Sequence, residues 1–277
     1  MSKLLSANFM RLRKSKAFWL CAISTLLISI VAIFRNANAA QEMAERGFVE
    51  TLDSYYFQLA PYLGAIMAIF ISMFLGTEYS DGTIRNKLVV GHTRTNIYLA
   101  NFLSCLTGGI VITALWFIGG LPGLYLIGNF EMGLSGVIAY FFVAIGITTT
   151  FTAIFVWIST LSRNKAITVV LVLILWVAMS LAGSGINDRL HEQEFNGGMA
   201  FIDGEFVMME QTPNPLYLTG GVRTVFEWLY RLLPTGQAIF MTSAEITTPV
   251  LNIIASLIVT ILITTVGVLM FHKKDLK

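Results

Sequence analysis

The sequence predicts an all-α polytopic membrane protein with six spans, and three observations carry that prediction. The 277 residues are 56% hydrophobic and only 12% charged, far below the roughly 25% charged residues of an average soluble domain. Mean hydropathy is +0.73. Six apolar runs are each about as long as the roughly 20 residues a helix needs to cross a bilayer, and the charges between them alternate steeply in sign from loop to loop.

The runs cover approximately 17–34, 58–76, 97–128, 134–161, 166–184 and 249–271, and none contains Asp, Glu, Lys or Arg. Membrane strands would be about 10 residues long with alternating polarity, a pattern the sequence lacks. Helices remain as the way to satisfy backbone groups in lipid. The whole chain, 1–277, reads as a single transmembrane domain.

Sidedness follows from Lys and Arg, which stay on the cytoplasmic face. Residues 1–16, 77–96, 162–165 and 272–277 hold 13 basic and 3 acidic residues, a net +10. The other loops hold 5 basic and 13 acidic residues, a net −8. Both termini are therefore expected in the cytoplasm, with 35–57 and 185–248 facing outward.

Along residues 2–16, Leu5, Phe9 and Leu12 fall on one helical face, while Arg11, Arg13, Lys14 and Lys16 crowd toward the membrane. This predicts an amphipathic helix on the inner surface. A basic stretch and an apolar run before Ala37-Asn38-Ala39 resemble a secretory leader. The run of 18 residues, followed directly by Arg35, reads better as the first span. Cys21 and Cys105 both lie inside apolar runs, so no disulfide framework is expected.

The first outward segment carries Glu42, Glu45, Glu50 and Asp53, then Tyr55, Tyr56 and Phe57 at the level of an aromatic belt. Pro61 opens the second span, where its missing amide hydrogen matters least. The third run is 32 residues and would reach about 48 Å, too long for one straight crossing. Gly119-Gly120-Leu121-Pro122-Gly123 supplies either a break or a close-packing motif. In the fourth run, Thr148, Thr149, Thr150 and Thr152 either bond within and between helices or line a path.

The 64-residue outward segment 185–248 is long enough to fold locally. Asp203-Gly204, between Phe201-Ile202 and Glu205-Phe206-Val207, is a two-residue hairpin signal. Val222, Val225, Phe226, Leu229, Leu232 and Leu233 form one helical stripe stopped by Pro234. A gating or release role is assigned to Phe226, Leu229 and Leu233, with an interfacial helix or dimer packing as the competing readings.

Catalytic constellations are missing from the sequence. His92, His191 and His272 lie in loops or at a span end, so no intramembrane Ser–His pair forms. His191-Glu192-Gln193-Glu194-Phe195 lacks the second His of a zinc-hydrolase helix, and no metal site is expected. The absence of ionisable residues from the spans argues against an ion-coupled carrier. No Gly-Lys pair exists, so the chain has no phosphate loop of its own.

The informative loop is the basic one between the second and third spans, Glu78-Tyr79-Ser80-Asp81-Gly82-Thr83-Ile84-Arg85, continuing through Lys87 and Leu88 to Gly91-His92-Thr93-Arg94. A short helix fits it, capped by Asp81 or Thr83, with Ile84, Leu88 and Val89 as its apolar face and Gly91 as its end. Arg85, Lys87 and Arg94 are expected to stay exposed. This pattern resembles the type-2 permeases of ATP-binding-cassette (ABC) exporters, which share Glu-Tyr-Ser-x-Gly-Thr-Ile-Arg and a following Gly-x-x-Arg. An N-terminal surface helix, six spans, the short loop Ser162 to Lys165, and Leu233-Pro234-Thr235-Gly236-Gln237 before the last span extend the likeness.

The resemblance implies that the loop is a coupling helix seated in a cytoplasmic ABC ATPase, with Glu78, Tyr79, Gly82, Thr83, Ile84, Arg85, Lys87, Leu88, Gly91 and Arg94 as its working residues. It also implies two permease copies, homodimeric or related, in the cytoplasmic membrane. ATP and Mg would be bound by the partner ATPase and not by this chain, and no nucleic acid is involved. Substrates of such permeases include amphipathic or antimicrobial peptides, drugs, lipids and polysaccharides. A secondary or passive carrier is the alternative.

Overall fold

The computed structural model describes residues 1–48, 51–162, 164–197, 199–202, 205–208, 211–244 and 248–274. Helix α1 (Ser2–Lys14) ends at Ser15, whose hydroxyl accepts the Phe18 amide at 3.3 Å and so caps α2 (Lys16–Glu45). The inward face of α1 is Leu4, Asn8 and Leu12, buried against α6, with Leu5 and Phe9 half-buried beside them. The expected residues Leu5, Phe9 and Leu12 thus all pack against the core, joined by Leu4 and by Asn8, which has a polar partner inside the protein, as described below.

Helix α2 runs past the expected end at residue 34 to Glu45. Its extension is rich in Ala, Glu, Gln and Met, good helix formers that can stand clear of the bilayer. The chain returns through α3 (Asp53–Tyr56) and a 3-10 turn over Ala60–Tyr62, which contains Pro61, into α4 (Leu63–Ser80). After the short α5 (Thr83–Val89) comes α6 (Arg94–Gly120), then α7 (Gly123–Leu126). Helices α8 (Gly133–Leu161) and α9 (Lys165–Leu190) follow. Among the described residues, six helical segments are long and apolar enough to cross a membrane, at α2, α3–α4, α6–α7, α8, α9 and α12 (Pro249–Lys273).

Helix α8 is the hub, contacted by α12, α4 and α6, while α2 packs on α6 and α9 on α4. Met67, Phe70, Ile71 and Leu75 of α4 meet Tyr98, Cys105 and Trp116 of α6 and Phe151 and Phe155 of α8 in the buried core. Lipid removes the hydrophobic drive between helices, so close approach and interhelical hydrogen bonds do more of the joining. The glycine cluster in α6 serves both expected purposes. A Cβ on Gly119 would lie 2.9 Å from the Leu26 carbonyl oxygen, and Ser29 Oγ donates to the Trp116 carbonyl at 2.8 Å. One residue later α6 ends, and Pro122 precedes the separate turn α7.

The four threonines of α8 bond within and between helices. Thr148 meets Thr113 of α6 at 2.7 Å, Thr149 and Thr152 donate to carbonyls one turn back, and Thr150 reaches the Ser256 carbonyl of α12 at 3.2 Å. Cys21 and Cys105 are buried free thiols.

In the segment after α9, β1 (Phe195–Asn196) pairs antiparallel with β4 (Thr212–Pro213), enclosing the antiparallel pair β2 (Met199–Ile202) and β3 (Glu205–Met208). The Ile202↔Glu205 register is that of a two-residue hairpin, although Asp203 and Gly204 themselves lie outside the described residues. Helix α10 (Gly220–Leu232) carries the expected apolar stripe, but facing away from the chain. Val222, Val225 and Leu229 are exposed, Phe226 and Leu233 are half-buried, and the inward residue is Tyr230. Pro234 then starts α11 (Pro234–Thr242), which packs against α8, α9 and the 3-10 turn with Thr235, Gln237 and Met241 buried. The segment read as wholly external thus sends a helix back into the bundle.

Candidate functional site

The loop after the second span is built around Glu78, in the last turn of α4 and only 1% exposed. Its carboxylate pairs with Arg11 of α1 and Lys87 of α5. Asn101 of α6 donates to its other oxygen at 2.8 Å. Asn8 donates to Asn101 Oδ1 at 2.8 Å and accepts from Lys87 Nζ at 3.0 Å, closing the network. The Arg11 guanidinium also lies 4.0 Å over the Phe74 ring. One carboxylate therefore ties together α1, α4, α5 and α6. A buried charge persists only with such partners.

Lys87 is accordingly not exposed as expected, and Glu78 pairs with Arg11 and Lys87, with Arg85 left to solvent. Burial pushes the Lys87 ammonium pKa down, opposed by the neighbouring Glu78 charge.

Local backbone chemistry sets the angle of α5. Gly82 is the residue before its first turn, at φ +66° and ψ +11°, a left-handed conformation that favours glycine. Neither Asp81 nor Thr83 caps the helix through its side chain. The Thr83 hydroxyl instead donates to the Glu78 carbonyl at 3.0 Å, tying α5 back to the end of α4. At the other end, Gly91 adopts φ +92°. The His92 amide bonds the Lys87 carbonyl at 3.1 Å and the Gly91 amide bonds the Leu88 carbonyl at 2.9 Å. That pair of bonds is a Schellman stop.

Between these ends Ile84 is buried and Leu88 half-buried. Val89, assigned from the sequence to the apolar face, is 86% exposed, and Val90 is 76% exposed. Seven residues make barely two turns, so Ile84 and Leu88 already exhaust the inward face. Arg85 and Asn86 are exposed beside them. Tyr79 lies in the last turn of α4, with its side chain outside the described set.

Arg94, also expected to be free, donates to the carbonyls of Phe271 and His272, each at 3.0 Å, and of Lys274. These carbonyls lie at the C-terminal end of α12, where a cation is favoured. Lys274 Nζ in turn donates to the Thr160 and Ser162 carbonyls at the end of α8, at 2.7 and 3.1 Å. Helix α1, the end of α12 and the loop thus meet on one face of the bundle.

Sequence reading missed Asn8, Arg11 and Asn101 as members of this site. A signal for two of them was present: Asn8 interrupts Leu4 and Leu12 at helical spacing, and Asn101 lies in an otherwise apolar run. On the opposite face, Arg231 donates to Thr248 at 2.7 Å and Asn252 at 3.2 Å, and Ser256 donates to Gln237 at 3.1 Å. Of the residues assigned to a gate, Leu229 is exposed and Phe226 half-buried, whereas Tyr230 is buried and donates to Asn187 at 2.8 Å.

Six spans, a short helix at the start and a loop helix anchored by a buried carboxylate define a multi-pass helical membrane protein. The family model of ABC-2 family transporter proteins matches residues 4–179, and the chain belongs to that family. It is a membrane-embedded permease subunit of the ABC transporter class. The match spans α1 to most of α9, so it includes the Glu78 network and excludes α10–α12. No curated protein matches the chain.

Proposed function

We propose that this chain is the membrane half of an ABC exporter and that α5 is the element through which a separate cytoplasmic ATPase drives it. The supporting observation is the presentation of Val89 and Val90, two exposed apolar side chains flanked by Arg85 on a helix anchored by a buried carboxylate. Exposed valines are an apolar contact that water disfavours, and a rigid mount lets force on them reach the spans. Through Glu78, displacement of α5 pulls on α4, α6 and α1 together.

In this reading both termini and α5 are cytoplasmic, in accord with the net +10 of their loops. ATP and Mg are held by the ATPase, and a second permease copy completes the transport path. The cargo is an amphipathic or hydrophobic peptide, drug or lipid, consistent with apolar runs that contain no Asp, Glu, Lys or Arg. A photo-reactive residue at position 90 tests the assignment in cells producing the chain at native level. The expected adduct is a protein with a phosphate loop, diminished when V89D is combined with the photo-reactive residue. An intact, membrane-inserted chain giving no adduct with a nucleotide-binding protein would overturn it.

A further inference from the structure

The face that carries α1 and the end of α12 has a cleft of about 400 Å3 lined by Arg11, Lys14, Lys16 and Lys165 over Met73 and Phe74. It lies where the α1–α2 elbow meets the last turns of α4 and the first residue of α9. We propose that this cleft binds the phosphodiester of an anionic membrane lipid.

Four cations converge there and, among the described residues, no carboxylate lines the cleft. The nearest acid already described, Glu78, is held by Arg11, Lys87 and Asn101, so it is not available to Lys14, Lys16 or Lys165. Placement of two of these lysines is electrostatically adverse. Lys16 and Lys165 are the first residues of α2 and α9, and neither helix has an acidic residue in its first turn. Helix N-termini carry partial positive charge and favour anions, so a lysine at each adds like charge to like. An anion between them relieves the repulsion at the start of α2, where Ser15, Lys16 and Ala17 line the cleft.

The general tendency of basic residues to gather on one membrane face explains their number, but not their convergence on one cavity. Depth argues for a lipid as the source of the phosphate. The cleft sits where α2 and α9 begin and α4 ends, which is headgroup level, and Ala17, Met73 and Phe74 provide an apolar wall for a glycerol backbone and the first methylenes. Basic pockets between spans are suited to such headgroups.

The test is native mass spectrometry of the purified full chain in a neutral detergent, titrated with phosphatidylglycerol or phosphatidylcholine. Phosphatidylglycerol should bind about tenfold more tightly, and the triple variant K14Q/K16Q/K165Q should lose that preference. The charge-preserving K14R/K16R/K165R should keep it, as should K3Q/R13Q/K273Q, which removes three cations that do not line the cleft. If the triple Gln variant is not monodisperse, K165Q alone should still weaken binding by roughly fivefold. Equal binding of the two lipids, or an equal loss in K3Q/R13Q/K273Q, would overturn the site. Displacement of phosphatidylglycerol by millimolar inorganic phosphate would overturn the lipid assignment in favour of a soluble anion.

Discussion

Replacing Glu78 by Ala should release α5 while leaving the spans assembled. The substitution removes the carboxylate shared by Arg11 and Lys87, and leaves Asn101 without its acceptor at 2.8 Å. Breaking a fully buried ion pair costs about 3–5 kcal/mol, because the remaining charge stays uncompensated. Here the two cations retain 30% and 16% side-chain exposure, and both can turn toward water. The low end, about 3 kcal/mol, is therefore appropriate. Since the network lies at one end of the bundle, the loss should be local and visible in hydrogen exchange. Amides of α5 should exchange on the order of a hundredfold faster, with those of α8 unchanged. If the cost arises from stranded charge, removing a cation as well should recover part of it, so K87M should be much milder in the E78A background than alone. The reasoning fails if the two losses simply add, with a coupling energy below about 0.5 kcal/mol.

Three further outcomes follow from the geometry. Proline at position 82 cannot adopt the φ of +66° found there, so G82P should abolish substrate-stimulated ATP hydrolysis by the reconstituted complex while the chain still inserts; unchanged hydrolysis would refute a fixed α5. Cysteines introduced at Ser2 and Asn86 should be shielded from impermeant thiol reagents in intact cells, and one at Asn196 should label, with outside labelling at Asn86 reversing the orientation. The double variant F226S/L229S should change thermal stability of the solubilised monomer by less than about 1 kcal/mol, since Leu229 is 47% exposed. Its assembly, ATP hydrolysis and export then separate the roles of α10: lost assembly indicates dimer packing, and lost export with intact assembly and hydrolysis indicates gating.

How far the site was legible depended on the kind of signal each residue carries. Gly91 and the end of α5 were readable because a helix stop is a local backbone event, confined to a few residues. Gly82 was readable as a motif position, yet the sequence pointed to Asp81 or Thr83 as the cap. Both are good capping residues, and only the turn from α4 into α5 shows that Gly82 takes the special φ and that Thr83 bonds backward. The charges were the least legible. In a loop, Lys87 and Arg94 look like ordinary basic residues of one membrane face, because their partners are remote in sequence. Arg94 meets Phe271 across 177 positions, and Asn8 meets Asn101 across 93.

By itself the sequence determined the all-α class, the six spans and the division of charge between faces. Each rests on chain-local physics: the length of apolar helix that lipid requires, and the cost of carrying cations across it. The glycine break in α6 and the hairpin register belong to the same category. Tertiary structure decided which way amphipathic faces turn, because a stripe has no intrinsic partner. The α10 stripe faces outward, the α1 stripe turns Asn8 inward, and α11 re-enters the bundle despite lying in a segment that reads as external. Above all it decided that Glu78 is a buried junction and not a surface charge. A carboxylate can be buried only where cations and amides from other elements converge on it, and that convergence exists only once α1, α4, α5 and α6 are packed together.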